Sequence, residues 1–171
     1  MDIRPTSDRL RETLFNVLAS GNPAALDGTV WLDLFAGTGA VGIEALSRGA
    51  PRVYFVESSL KAAQLIERNL ASLGIKRGFE IVRAEVAGAI HRLGAQDLRA
   101  DIVFLDPPYR LQDVYAATLE ALGKSPLVQA STRVVAEHEK KFDPGERFGK
   151  LARYRRLVQG DAGLSFYKLS S

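Results

Sequence analysis

The tetrapeptide Asp106-Pro107-Pro108-Tyr109 directly follows the apolar run Ile102-Val103-Phe104-Leu105. A short apolar run ending in an acid and two prolines reads as a buried strand that stops at a stiff loop. Proline has no N–H to donate and restricts the residue before it, so this loop neither prolongs the strand nor opens a helix. It offers a carboxylate, an acceptor-rich backbone and an aromatic ring at the carboxyl end of a strand, which is where open α/β sheets bind ligands. A planar amine would meet two acceptors and a stacking surface there. The plain alternative is a strand exit with no chemistry.

A second constellation lies upstream. Gly37-Thr38-Gly39-Ala40-Val41-Gly42 matches G-x-G-x-x-G, follows the strand-like run Thr29 to Phe35 and opens a helical stretch, the context that a nucleotide fingerprint needs. Glu57 ends the next strand-like run, where an acid can bind ribose hydroxyls. The pattern admits a dinucleotide or adenosylmethionine, since both contain adenosine. Asp33, just before the turn, favours the second: a pyrophosphate at the helix N-terminus would sit beside a carboxylate. Adenosylmethionine has no phosphate and carries an ammonium and a cationic sulfur. Glu85 ends the third strand-like run and could reach the adenine amine.

Each of these residues also has a structural reading. Asp33 can be an acid satisfied by loop amides. Gly37 and Gly39 can form a tight turn without ligand. Glu57 can cap the helix that Ser58 and Ser59 open, and Glu85 can be a solvent-facing acid at a helix start.

These groups need elements to position them. Residues 6–20 read as a helix capped by Thr6 or Ser7, with Leu10, Leu14, Val17 and Leu18 on one face, and Gly21-Asn22-Pro23 ends it. Strands are expected at 29–35, 52–57, 79–84, 101–106 and 133–138. Helices are expected to about Arg48, over 58–73, after residue 84, and over 112–123. Such alternation implies a parallel sheet with right-handed crossovers. The runs Leu151 to Gln159 and Leu164 to Leu169 flank Gly160-Asp161-Ala162-Gly163, a hairpin signal. The expected fold is α/β: a doubly wound, mostly parallel seven-stranded Rossmann-like sheet with an N-terminal helix and a C-terminal antiparallel hairpin. One domain, 1–171, is expected, with 1–28 as helix and linker and 29–171 as the catalytic core.

Composition narrows the classes. Of 171 residues, 46% are hydrophobic and 25% charged, as in a globular protein. With no cysteine there are no disulfides or thiolate metal sites, and with two histidines a His-rich metal site is not expected. No metal is called for. His91 and His138 receive structural readings without a foreseen partner. No signal-like or membrane-spanning run is present, so a cytoplasmic protein is expected. Net charge is +3, but basic residues cluster: Arg4, Arg9 and Arg11 near the start, and Lys140, Lys141, Arg147, Lys150, Arg153, Arg155 and Arg156 near the end. Such clusters suit nucleic acid or a solvated surface equally.

Together these residues resemble the class I adenosylmethionine-dependent methyltransferases with an Asp-Pro-Pro-Tyr motif, and more closely the RsmD-like bacterial small-subunit rRNA guanine-N2 methyltransferases. Arg4-Pro-Thr-Ser-Asp-Arg-Leu-Arg-Glu-Thr-Leu-Phe-Asn16 is similar to that family's N-terminal signature, and the segment Leu32 to Ala50 to its cofactor loop. The resemblance covers nearly the whole chain, and the N-terminal signature separates it from DNA adenine methylases, which share the four-residue motif. Members usually carry a basic β-segment before the signature; here Met1-Asp2-Ile3 precede Arg4.

The resemblance implies S-adenosylmethionine as cofactor and 16S rRNA, or the assembled small ribosomal subunit, as partner, with the protein acting as a monomer. It implies that Asp33, Phe35, Gly37, Gly39, Glu57, Glu85 and Val86 line the cofactor site. Asp106, Pro107 and Tyr109 would hold the target amine, with Pro108 beside them. Arg4, Thr6 and Arg9 would lie at the mouth, and the basic cluster suggests Arg153 and Arg155 as RNA contacts. Other readings are an adenine-N6 DNA methyltransferase and an RNA-binding module without catalysis. A dehydrogenase leaves residues 106–109 without a role. A protein-glutamine methyltransferase usually has Asn where Asp106 stands.

Overall fold

The structure is a computed structural model that describes residues 7–108 and 112–170. Arg4, Thr6 and Tyr109 therefore lie outside the described residues. Helix α1 spans Asp8–Ala19. Ser7 caps it by accepting the Leu10 N–H, and Asp8 places an acid in the first turn. Its buried face is Leu10, Leu14, Phe15 and Leu18, the i, i+4 spacing of one helical stripe. A short 3₁₀ turn, Pro23–Leu26, follows, with proline at its start and Asn22 as cap.

Strands β1 (Val30–Leu34), β2 (Arg52–Val56), β3 (Phe79–Val82), β4 (Ala100–Leu105) and β5 (Val128–Glu139) alternate with helices α2 (Ala40–Ser47), α3 (Leu60–Ser72), α4 (Val86–Ala95) and α5 (Gln112–Lys124). Strands β6 (Arg147–Phe148), β7 (Leu151–Gln159) and β8 (Ala162–Leu169) complete one sheet in the order β3-β2-β1-β4-β5-β8-β7-β6. The first five strands run parallel, and β8, β7 and β6 add antiparallel. The expected seven strands are all present, and the two-residue β6 makes an eighth at the edge. After β3 the chain crosses back to the other side of β1. This reversal makes the β1/β4 junction the topological switch point of the sheet, the place where open α/β sheets bind ligands at the carboxyl ends of their strands.

Both faces of the sheet are covered. Side chains of α1, α2 and α3 pack with Trp31, Val53, Phe55, Phe104 and Phe166 on one face. Those of α4 and α5 pack with Leu32, Leu34, Val103, Leu105 and Tyr167 on the other. Phe15 stacks on Trp31 with ring centroids 5.2 Å apart, and both are fully buried. Each large apolar side chain buried in this way contributes about 1.5–3 kcal/mol. That burial fixes α1 against β1 even though the helix precedes the sheet in the chain.

Two features of the C-terminal half differ from expectation. Strand β5 begins at Val128 rather than Arg133. Its early part pairs with Ala100 across an irregularity, where Thr132 Oγ1 donates to the Ala100 carbonyl and accepts the Gln129 N–H. The hairpin turn is two residues, Gly160-Asp161, because Gln159 pairs with Ala162. Gly163 serves packing instead: a Cβ there would lie 2.5 Å from Cε1 of His138. His138, which had no foreseen partner, is buried, with Nδ1 2.8 Å from the Glu139 carbonyl and Nε2 2.8 Å from Ser165 Oγ. Burial lowers its pKa. Among the described residues no helix is long and apolar enough to cross a membrane.

Candidate active site

The glycine loop leaves β1 at Leu34. Phe35, the next residue, has φ 58°, and Gly37 and Gly39 have φ 58° and 78°. Left-handed backbone costs a residue with a Cβ about 1–2 kcal/mol, so Phe35 holds a strained turn at the point where the strand ends. Its ring packs against the cluster formed by α4 and α5. Gly39 is buried, and a Cβ there would sit 3.2 Å from Ile66 and 3.3 Å from Phe55. Gly42 is tighter than Gly39: a Cβ would lie 2.3 Å from Cε1 of Phe55. The third glycine thus lets α2 lie close against β2, while the first two shape the turn.

Two carboxylates organise this loop. Asp33 is 2% exposed, and its Oδ2 accepts the Gly42 N–H at 3.0 Å. Burial pushes its pKa up to about 8; the Gly42 hydrogen bond opposes this and the nearby Glu57 charge adds to it. Glu57, at the end of β2, accepts the Gly37 N–H on Oε1 at 3.0 Å and the Ser59 N–H on Oε2 at 2.9 Å. Ser59 is the cap of α3. Glu57 therefore ties the glycine loop to the start of α3. Each carboxylate oxygen has two acceptor positions, so one backbone amide per oxygen leaves capacity for ligand hydroxyls.

The structural readings of Asp33 and Glu57 are therefore both realised. Glu85 precedes α4 without a side-chain capping bond and is exposed. Val86, the first residue of α4, is buried in the core beneath it. Acids thus stand at or just beyond the carboxyl ends of β1, β2 and β3, and residues 33–42 contain no Lys or Arg. That donor set disfavours a pyrophosphate and suits a cationic adenosine ligand with hydroxyls to bind. The cradle at Gly39 and the buried acid at Asp33 fit adenosylmethionine.

The Asp-Pro-Pro loop leaves the neighbouring strand. β1 and β4 pair in parallel with Leu34 opposite Leu105, and the Asp106 N–H points to the Leu34 carbonyl at 3.4 Å. The two loops therefore emerge side by side at the switch point. Asp106 is half-buried, Pro107 buried and Pro108 exposed. One strand further on, the carboxyl end of β5 meets the N-terminus of α1 and the β7–β8 turn. There Ser7, Arg9, Glu137, His138, Gln159 and Asp161 line a cavity of about 290 Å³.

Two site features had no sequence signal. Asn69 on α3 donates to the Thr38 carbonyl at 2.9 Å and steadies the glycine loop from outside. An Asn in a helix carries no such message until the fold brings α3 beside the loop. The second feature is a β-bulge in β7. Arg153 pairs with Tyr167 and Arg155 with Phe166, so the bulge turns residues two apart towards opposite faces. Arg153 does not sit on a basic surface as its spacing suggested. Its side chain is 11% exposed and clamped to Asp143 at 2.6 Å, and that contact holds the Asp143 carboxyl at about 2. Arg155 remains exposed.

Comparison with known proteins places this geometry. The model of the family described as "Conserved hypothetical protein 95" matches residues 1–168. A Bacillus subtilis (strain 168) protein named "Putative rRNA methyltransferase YlbH" is 34% identical over 165 residues, covering 96% of this chain and 87% of that protein. The "Ribosomal RNA small subunit methyltransferase D" of Escherichia coli (strain K12) is 44% identical over 108 residues, covering 63% of this chain and 50% of that protein. A solved structure described as "Putative methyltransferase yhhF from Escherichia coli" superposes with a TM-score of 0.82 at 28% identity, covering 99% of this chain and 91% of that one. By the span of the family model and the identity to the Bacillus protein, the chain belongs to the conserved hypothetical protein 95 family, among relatives named as rRNA methyltransferases.

Proposed function

We propose that this chain transfers the methyl group of S-adenosylmethionine to the exocyclic N2 amine of a guanine in 16S rRNA of the small ribosomal subunit, and that 1–171 acts as one catalytic domain. The observation that carries this reading is the register of β1 and β4, Leu34 opposite Leu105. It sets an acid-rimmed glycine loop beside an Asp-Pro-Pro exit. The names of the relatives support rRNA as substrate.

Asp33, Phe35, Gly37, Gly39, Glu57, Glu85 and Val86 form the cofactor side. Glu57 binds the ribose hydroxyls with its remaining acceptor positions, and Asp33, kept protonated by burial, ionises when the cationic ligand arrives and balances its charge. The bound cofactor supplies an electrophilic methyl group. A purine amine is a weak nucleophile because its lone pair is delocalised into the ring. The Asp106 carboxylate and the Pro107 carbonyl accept its two hydrogens and favour a pyramidal nitrogen with a directed lone pair. Asp106 takes the proton that the amine releases. Tyr109 stacks on the base, with Pro108 at its edge, once the base has left its helix or loop. Holding the reactants in line at about 3–3.5 Å supplies much of the acceleration. Arg4, Thr6 and Arg9 help to order the cofactor or the RNA.

The test is incubation with labelled adenosylmethionine and small ribosomal subunits lacking native methylation, with naked rRNA and DNA in parallel. Mass spectrometry then locates the label. Label on guanine N2 of 16S rRNA supports the reading. Label on adenine N6 of DNA replaces it with the DNA methyltransferase reading. Cofactor binding with no label anywhere leaves an RNA-binding module.

A further inference from the structure

The β-bulge in β7 produces a second site, away from the cofactor loop. Tyr154 is the extra residue between the Arg153–Tyr167 and Arg155–Phe166 pairs. It is one of the few large apolar or aromatic side chains left exposed among the described residues, at 42%. Its ring is fixed from below by the fully buried Phe166, with centroids 6.2 Å apart. Cations surround it. Lys168 Nζ lies 5.1 Å from the ring centroid, and Arg133 and Arg155 are both close enough to act electrostatically on the phenol. Arg133 is itself held by the Leu18 carbonyl at the end of α1. Arg153 is turned away and neutralised by Asp143, and Arg156 donates to the Lys140 carbonyl.

An aromatic ring anchored on the core and flanked by cations that form no ion pair among the described residues is the arrangement that binds single-stranded nucleic acid: the ring stacks a base and the cations take the phosphates. A helical RNA stem keeps its bases stacked inside and offers no free face. We infer that Tyr154 is a stacking platform for one unpaired RNA base, with Arg133, Arg155 and Lys168 holding the adjoining phosphates. This inference rests on the RNA reading above and adds where, apart from the reacting base, the RNA is gripped. Lys168 is exposed and can leave the ring face for a phosphate when a base arrives.

The experiment measures binding of a labelled single-stranded oligoribonucleotide and of a duplex RNA to the full chain over a range of salt. Tyr154→Leu should weaken single-strand binding about tenfold, within the span of base–aromatic stacking, and barely change duplex binding. Tyr154→Phe should bind like wild type. Arg155→Gln should reduce the salt slope by about one. Melting curves and adenosylmethionine affinity check that the fold is intact. Where Tyr154→Leu melts early, ultraviolet crosslinking of the wild type gives the answer: the crosslinked peptide must contain Tyr154. Native-like Tyr154→Leu with unchanged RNA affinity, or a crosslink elsewhere, overturns the platform while leaving the proposed reaction standing. A wild type that binds neither RNA overturns the platform, and the labelling of ribosomal subunits decides the reaction separately.

Discussion

The carboxylate of Asp33 and the backbone amide of Gly42 are joined at 3.0 Å inside the core, so the acid that precedes the glycine loop also secures the helix that follows it. Burial holds the Asp33 pKa near 8 against an ordinary 3.8. The folded protein therefore binds one more proton than the unfolded chain between those values. Stability from this group is complete below about pH 4 and is lost as pH rises towards 8, with a slope of at most about 1.4 kcal/mol per pH unit. Asp33→Asn keeps an acceptor for Gly42 and removes the titration. Denaturation midpoints measured from pH 5 to 9 should fall more steeply for wild type than for Asp33→Asn, and parallel curves would refute the assignment.

Glu57→Ala leaves the Gly37 and Ser59 amides without their acceptor, at about 1–3 kcal/mol for each buried group left unsatisfied. It should lower the melting temperature and reduce adenosylmethionine affinity at least about tenfold, the effect of losing a single charged hydrogen bond of about 1.5–3 kcal/mol. Calorimetry on a folded sample at low temperature separates the two effects. Full affinity in the variant would remove Glu57 from the cofactor site.

The glycines of the loop should fail in different ways. Gly42→Ala drives a methyl group into Phe55 and should destabilise the fold by about 1–3 kcal/mol through overpacking. Gly39→Val combines left-handed backbone with contacts to Ile66 and Phe55 and should abolish cofactor binding in whatever protein remains folded. Chemical denaturation read beside cofactor titration would reverse this assignment if Gly42→Ala were stable and Gly39→Val bound normally.

Asp106→Ala should stop methyl transfer and leave adenosylmethionine affinity within several fold, because the acid leaves β4 and not the glycine loop. Single-turnover transfer and cofactor binding measured on the same preparation decide the point. A variant that still transfers methyl at the wild-type rate takes Asp106 out of the reaction.

Charge reversal separates Arg153 and Arg155 of the hairpin. Arg155→Glu should weaken RNA binding and flatten its dependence on salt. Arg153→Glu sets a third acid beside Asp143 and Glu146 and should lower the melting temperature instead. Equal effects of the two substitutions on RNA binding would contradict the bulged geometry.

The order of strands and helices was legible because each buried strand is a short apolar run and each helix shows one apolar stripe. The glycine loop and the Asp-Pro-Pro exit were legible because turns and stiff exits need particular residue types at fixed spacing. Arg153 was misread because a bulge changes the alternation of faces, and the inserted Tyr154 looks like any other strand residue. Gly163 was taken for a turn residue because its neighbour Gly160 is one; only His138 beneath it explains its size. Asn69 and Thr38 are 31 positions apart, and their contact exists only once α3 has packed.

One carboxylate, Glu57, fastens both the entrance of α3 and the first glycine of the loop. Slackening at either end is thereby felt at the other. On the reading proposed, a methyl donor that settled on that acid would stiffen α3 through Ser59, and a substitution far along α3 would loosen its grip.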